Sequence, residues 1–439
     1  MKHIKKHFPG LFLCLMIVAA TILSFAFSVK TIHKPVTTQK CLIVSDIHFD
    51  PMYGSTDTSL KRRLAASSVA EWKKYFESSP AQMTLDASLL GKDANYAVLQ
   101  SAIANMKKRL PHPAFIIIAG DFIWHNATIG DSTLKKKSVQ FIARMFKNTF
   151  PGVPIIPALG NNDTYGNNYT MQGPRFLKDF AEAREPSLPK PSADSLKVRG
   201  YYTCQTDNLR LMVINSSLLS FKNNYPQAAT MLAWLQNNLV AAHGKNVWII
   251  SHIPPGTNGY DNSNFWNPQY TGVFVNTIVK YAPQVKFMIA SHTHFNEFKV
   301  VYNASGTPIS YLRVVPSVCS NHGNNPSFEI AEYDHKTGKV INETNHYLNL
   351  AAIPTGKGSV DVTWKDKLDL KSSLELSELN AANFFRLINN VKNQSTGETF
   401  KAYVNFYNVG TPIDSSKTIN HSNYLNYLRA DSLKGGNNN

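Results

Sequence analysis

Cysteine is scarce, with 4 residues in a chain of 439. Cys14 sits in an apolar N-terminal run, which leaves Cys41, Cys204 and Cys319. An odd set closes one bridge at most, so a disulfide-built scaffold is excluded and the core must hold itself together. Acidic side chains are also few, 29 against 45 Lys and Arg, for a formal net charge of +16. Such a surplus favours anionic partners, phosphate compounds and anionic lipid surfaces among them, so peripheral membrane contact is one expectation. The basic residues are scattered rather than striped and no nucleic-acid motif is present, which turns the expectation away from DNA or RNA. After residue 27 no run is long and apolar enough to span a membrane. No internal repeat is present, which excludes a solenoid.

What is present begins with an address. Lys2, Lys5 and Lys6 precede an apolar run over residues 11–27, the pattern of a secretory signal. Residues 1–28 are therefore assigned to a signal peptide, or to an uncleaved anchor, and the folded part is expected to be secreted or periplasmic. Hydrophobic content of 43% and aromatic content of 11% suit a packed globular chain. Short apolar runs at 41–45, 115–119, 153–159, 211–215, 247–251, 285–290, 312–315 and 328–333 predict buried strands. Apolar residues at helical spacing predict helices over 96–108, 136–147 and 228–242. Strands alternating with helices give an α/β class. Residues 53–92 read as an insertion over one edge. Residues 351–439 read as a mostly helical C-terminal extension, with Trp364, Leu368, Leu374, Phe384, Phe385, Leu387 and Ile388 for packing and a disordered tail from 435.

The polar residues fall where the strands end. The first expected strand runs into Asp46-Ile47-His48, the second into Gly120-Asp121 and the third into Gly160-Asn161-Asn162-Asp163. Two later strands run into His252 and into Ser291-His292-Thr293-His294. In layered α/β folds, ligands bind beyond the carboxyl ends of strands, so these five ends can converge on one site. A lone Asp-x-His carries little weight, and a lone His at a strand end is more often a hydrogen-bonded structural residue. The set in this order carries far more. Carboxylate, carboxamide and imidazole donors suit Zn²⁺ first, with Mn²⁺ or Fe also suited; an all-oxygen Mg²⁺ or Ca²⁺ site would not need so many histidines. Two such ions can clamp a phosphate and activate the water that attacks it.

With those residues in view, the series Asp46-x-His48, Gly120-Asp121, Gly160-Asn161-Asn162, His252, His292-x-His294 resembles the calcineurin-like metallophosphoesterases. Within them it is similar to the acid sphingomyelinase-like phosphodiesterases, through Gly120-Asp-Phe-Ile-Trp-His125, His252-Ile-Pro-Pro-Gly256 and Ser291-His-Thr-His-Phe-Asn-Glu-Phe298. Pro316-Ser317 followed by Asn325-Pro326 adds to the likeness. The resemblance covers residues 40–350, taken as the catalytic domain. It implies a two-sheet β-sandwich flanked by helices, with two divalent ions at one end. It also implies that Asp46, His48 and His294 hold one ion, that Asn161, His252 and His292 hold the other, and that Asp121 bridges them. His125 matches a histidine near the scissile phosphate. The implied reaction is hydrolysis of a phosphodiester or pyrophosphate bond by a hydroxide bridging the two ions.

The chain departs from the pattern at Asn162, where relatives carry a His that protonates the leaving group. An amide cannot serve as an acid. Gly160-Asn161-Asn162-Asp163 resembles endopolyphosphatases of the same superfamily instead. Either His125 takes over, or the leaving group needs no acid. The substrate is accordingly expected to be a nucleotide, a lipid head group or polyphosphate. Alternatives are a polyphosphatase or phosphomonoesterase on the same scaffold, or a metal-binding scaffold protein without catalysis. Among the aromatics, Trp124, Tyr165, Tyr260 and Phe265 are expected mostly in the core, and Trp266 at the pocket.

Overall fold

The computed structural model describes residues 37–206, 208–259, 261–393, 397–411 and 432–434. The segment assigned to a signal or anchor and the tail from 435 lie outside the described residues. Among the described residues, no helix is long and apolar enough to cross a membrane.

In chain order the strands are β1 (Thr38–Val44), β2 (Ile116–Ile118), β3 (Ile155–Pro157), β4 (Tyr202–Thr206), β5 (Leu209–Val213), β6 (Asn246–Ile250), β7 (Val285–Ala290), β8 (Glu297–Tyr302), β9 (Pro308–Val314), β10 (Ser327–Asp334), β11 (Val340–Tyr347), β12 (Asp366–Asp369) and β13 (Ser432–Lys434). They form two mixed sheets, ordered β12-β11-β10-β1-β2-β3 and β13-β8-β9-β7-β6-β5-β4. In the first sheet β1, β2 and β3 run parallel, and β10 pairs antiparallel with β1. In the second, β5, β6, β7 and β9 are parallel. Parallel neighbours need crossovers, which the helices Tyr96–Arg109, Ser132–Thr149, Gln227–Ala241 and Pro268–Tyr281 supply. The inner faces meet in aromatic contacts: Trp248 of β6 lies edge-on to Phe115 at 5.7 Å and to Tyr333 of β10 at 5.2 Å. The outer face of the second sheet packs Met212, Ile249 and Met288 against Met231, Leu235 and Ile278 of two helices. The α/β class and the two-sheet sandwich flanked by helices are both present.

Every run expected to be a strand is one, to within a few residues. Strands β4, β8, β11, β12 and β13 were not expected. β11 reads Val-Ile-Asn-Glu-Thr-Asn-His-Tyr, and its buried Glu343 and Asn345 hide the alternation that marks a strand. The insertion folds into short helices, including Thr58–Ala66 with Asp57 accepting from Ser59 N at its start and Pro80–Met83 with Ser79 as cap. Beyond 350, β12 extends the first sheet, and Phe384 of helix Ala381–Asn393 packs on Phe298 at 4.6 Å and on Tyr311 at 4.9 Å. Cys41, Cys204 and Cys319 are buried free thiols.

Candidate metal centre

The parallel strands of both sheets carry their carboxyl ends to one edge, and the polar motifs follow within a few residues. Beyond β1, Asp46 N donates to Gly120 O (3.0 Å) and His48 N to Asp121 O (3.0 Å), so the first two loops travel together. Asp46 (φ 46°), His48 (42°), Asp121 (54°), His292 (83°) and His294 (68°) all have left-handed backbone. A non-glycine residue held there costs on the order of 1–3 kcal/mol, and such strain persists where surrounding structure enforces it. The two motif glycines explain themselves. A Cβ on Gly160 would stand 2.0 Å from Asp121 Oδ1, and one on Gly120, itself at φ 101°, would stand 2.7 Å from His252 Nδ1.

Two groups of donor atoms result, each within 4.8 Å: Asp46, His48 and Asp121, and Asp121, His252 and His292. Asp121 belongs to both. Its Oδ2 lies 3.5 Å from His48 Nε2 and 3.2 Å from His252 Nε2. His294 Nε2 joins the first group 3.5 Å from Asp46 Oδ1, and Asn161 Oδ1 joins the second 3.0 Å from His252 Nε2. The seven residues expected to hold metal are therefore brought together. Asp46 Oδ1 and His48 Nε2 are buried polar atoms with no hydrogen-bond partner, and desolvated atoms of that kind call for a partner such as a cation. The donor set of imidazole, carboxylate and amide oxygen fits a divalent metal of the Zn²⁺, Mn²⁺ or Fe type.

Outer contacts aim these atoms. His48 Nδ1 is 2.8 Å from Ile123 O and His252 Nδ1 is 2.8 Å from Ala119 O, which turns each Nε2 to the centre. Asn161 Nδ2 donates to Asn168 Oδ1 (2.8 Å), leaving Asn161 Oδ1 facing inward. Ser291 donates its hydroxyl to Ala119 O (2.8 Å), and the same hydroxyl oxygen lies 2.9 Å from His252 Nδ1. Tyr169 OH lies 3.2 Å from His292 Nε2. Asp163, the last residue of its motif, accepts from Asp121 N, Phe122 N and Gly160 N, each at 2.9 Å, and so ties two ligand loops together.

The charges respond to one another. Burial works against charge on His48 and His252, yet the neighbouring carboxylates outweigh it and push both up to about 9. For Asp121, burial is likewise overcome by His252 and His48, and its carboxyl is held far below the usual range. Burial, with His252 beside it, takes His292 down to about 3. Burial raises Asp163 to about 6, with Asp121 adding to the effect. Cys319 Sγ lies 3.5 Å from His294 Nδ1, but burial pushes this thiol well above its ordinary value, so it backs the imidazole as a neutral group.

A cavity of about 750 Å³ opens over this centre, lined by Asp121, Asn161, Asn162, His125, Tyr169 and Phe265 among others. His125 stacks on His48 with ring centroids 3.7 Å apart. Asp93 fixes it twice: Oδ1 is 2.6 Å from His125 Nδ1, and Oδ2 accepts from His125 N (3.0 Å). Asn162 gives both its groups to Asp121, N to Oδ1 at 2.8 Å and Nδ2 to Oδ2 at 2.9 Å. Trp266 departs from expectation. It is fully buried, its Nε1 donates to Ile253 O (2.9 Å), and its ring packs on Phe274. It bridges Ser220 in extended backbone, where neighbours point opposite ways, so Phe265 reaches the cavity and Trp266 the core. Trp124 is buried and Tyr165 lies edge-on to Phe176, while Tyr260 lies outside the described residues.

Sequence reasoning missed Asp93, Tyr169, Lys222 and Tyr407, which reach the site from loops and from the C-terminal helix Glu398–Tyr407. None follows a strand end, and no motif marks them. Asp163 could have been found, since it completes the Gly160-to-Asp163 motif.

Residues 40–296 match the family model described as calcineurin-like phosphoesterase. Sphingomyelinase phosphodiesterase C of Dictyostelium discoideum is 27% identical over 77% of this chain and 78% of its own length. A cyclic GMP-AMP phosphodiesterase of Bos taurus is 26% identical, over 83% of this chain and 82% of its own. Acid sphingomyelinase-like phosphodiesterase 3b of Mus musculus is 26% identical over 70% of each.

Proposed function

The chain belongs to the calcineurin-like phosphoesterase family, and from that premise we propose that it hydrolyses phosphodiester or pyrophosphate bonds outside the cytoplasm, with two divalent ions, Zn²⁺ first among them. The observation that carries this reading is Asp121, shared between two groups of buried imidazole and carboxylate donors beneath an open cavity. The relatives named for sphingomyelin and cyclic GMP-AMP phosphodiesterase activity support the bond class.

In this reading Asp46, His48 and His294 would hold one ion, Asn161, His252 and His292 would hold the other, and Asp121 would serve both. When bound, such a pair supplies charge that polarises the phosphate and acidifies water. The chain's own residues do the rest. Asn162 cannot deliver a proton and instead keeps both oxygens of Asp121 in place. His125 gives Nδ1 to Asp93, which leaves Nε2 as the nitrogen available to the cavity, and its task is to pass a proton to the departing oxygen. Tyr169 orients His292, and Phe265 and Tyr407 give the leaving group apolar walls. Residues 40–350 act as the catalytic domain, with the C-terminal extension lending Tyr407.

The test is hydrolysis of bis-p-nitrophenyl phosphate by chelator-treated protein, before and after Zn²⁺ or Mn²⁺ is restored. Restored turnover is expected. Two bound ions without turnover on this ester, a choline-headed lipid, ATP or long-chain polyphosphate would sink the proposal and favour a scaffold role. A strong preference for polyphosphate would move the assignment to that substrate.

A further inference from the structure

One imidazole at the rim of the cavity has no part in the reading above. His322 lies on the turn after Cys319, which Gly323 N closes by donating to Ser320 O (2.8 Å). Its ring meets His294 at 4.5 Å and His125 at 6.4 Å between centroids, edge to face in both cases. One nitrogen each of His125, His294 and His322 falls within 4.8 Å of the other two. His322 is exposed, and among the described residues its ring has no hydrogen-bond partner.

Of these three, His294 is already committed: Nε2 faces Asp46 Oδ1 at 3.5 Å and Nδ1 faces Cys319 Sγ at 3.5 Å. His125 and His322 remain. Two imidazole nitrogens on one tetrahedral zinc stand roughly 3.3 Å apart, from Zn–N lengths of about 2.0–2.1 Å. An exposed side chain can close that gap by a small rotation. The loops that carry them are held in common, because Asn321 Nδ2 donates to Asp93 Oδ1 (3.2 Å), the same oxygen that holds His125 Nδ1.

We infer that His125 and His322 form a third, weaker cation site at the mouth of the cavity, which Zn²⁺ fills when in excess and which inhibits the enzyme by occupying His125. This rests on the two-metal reading, with His125 as the group that serves the leaving oxygen. The site is weaker because it offers two protein ligands, not three or more, and because it lies beside the first ion. Water or a phosphate oxygen completes its coordination.

The experiment is equilibrium dialysis of the full chain against rising Zn²⁺ alone, with turnover of bis-p-nitrophenyl phosphate measured at each concentration. A third equivalent is expected, at least about tenfold weaker than the first two, with inhibition at the same midpoint. In His322→Gln, third-equivalent binding and inhibition should both weaken by about 10–100-fold, on the scale of lost metal-site contacts. Turnover at two equivalents should stay within about twofold of the unaltered protein, since the exposed His322 supports no core contact. A third equivalent that His322→Gln leaves unchanged would overturn the inference. So would binding that stops at two, or inhibition without a third equivalent. Asp121→Asn separates this from the underlying reading. Loss of the pair in Asp121→Asn with the His322-dependent equivalent retained would support both readings, whereas a His322-dependent equivalent in an unaltered chain that never binds the pair would keep this site and end the two-metal reading.

Discussion

Two pairs of carboxylates are buried in this sandwich, and they are answered differently. Glu329 of β10 and Glu343 of β11 face Arg313 of β9, whose Nη2 lies 3.0 Å from Glu329 and whose Nε lies 3.1 Å from Glu343. The same guanidinium donates to Asn296 Oδ1 (2.7 Å) and to Glu297 O. Asp46 and Asp121 are equally buried, yet among the described residues the basic groups within ion-pair distance of them are histidines. A buried acidic pair needs a cation, because desolvated charge is costly unless paired. One pair has its cation built into the chain. The other is surrounded by donors that a metal can use and release. The difference separates a cluster that holds the fold from one that can do chemistry.

The sharpest way to break the comparison is to disarm each pair at its centre. Asp121→Asn keeps the shape and removes the shared charge. Turnover should fall by about 10³-fold, the scale of losing one strong electrostatic contact to a transition state. Zn²⁺ should raise the melting temperature of the unaltered protein and raise that of the variant much less, since a ligand that binds only the folded state stabilises it. A variant that melts and turns over like its parent would mean that Asp121 is not what joins the two groups. Arg313→Met is the counterpart. It leaves Glu329 and Glu343 unpaired and should cost about 3–5 kcal/mol in denaturant unfolding. Zinc stoichiometry in the folded fraction should not change. A loss of metal with intact stability would erase the distinction between the clusters.

Asp93 is a half-buried acid, and its partner is the imidazole of His125. His125→Ala should lower turnover by about 10²-fold on an alkyl ester and far less on a p-nitrophenyl ester, whose leaving group needs little help. Equal losses on the two esters, measured as kcat, would remove His125 from the leaving-group side and assign it to packing on His48.

How legible these regions were in the sequence follows from the same contrast. The metal-centre residues sit where strands end, so an apolar run followed by Asp, Asn or His announces each of them. Asp46, Asp121 and His252 were readable for that reason, as were the strands that carry them. Arg313, Glu329 and Glu343 lie inside strands. Charged residues at strand positions read as solvent-facing until the second sheet is known to cover them, and β11 with Glu343 did not read as a strand at all. Asp93, Lys222 and Tyr407 come from segments far apart in the chain. Their place at the cavity is a product of tertiary packing, which no local pattern records. Trp266 failed for the opposite reason, since a polar loop around it suggested exposure and a one-residue alternation decided otherwise.

The smallest expected effect tests the closed cluster by pH. Two carboxylates face one guanidinium, and burial, against the pull of Arg313 and with Glu343 alongside, pushes Glu329 up to about 8 from its ordinary 4.5. Below pH 4.5 the folded and unfolded chains both hold this proton. Between there and about 8 the unfolded chain releases it while the folded chain keeps it. Proton binding that favours the folded state makes stability fall as pH rises through that window. Glu329→Gln is neutral throughout and should flatten the fall. Measured by thermal unfolding in an Asp121→Asn background, which silences the metal's own pH dependence, the change in slope should amount to roughly 2–4 °C across the window. An unchanged slope would mean that Glu329 carries no proton of its own, and that Arg313 neutralises both carboxylates as fully as two metal ions would neutralise Asp46 and Asp121.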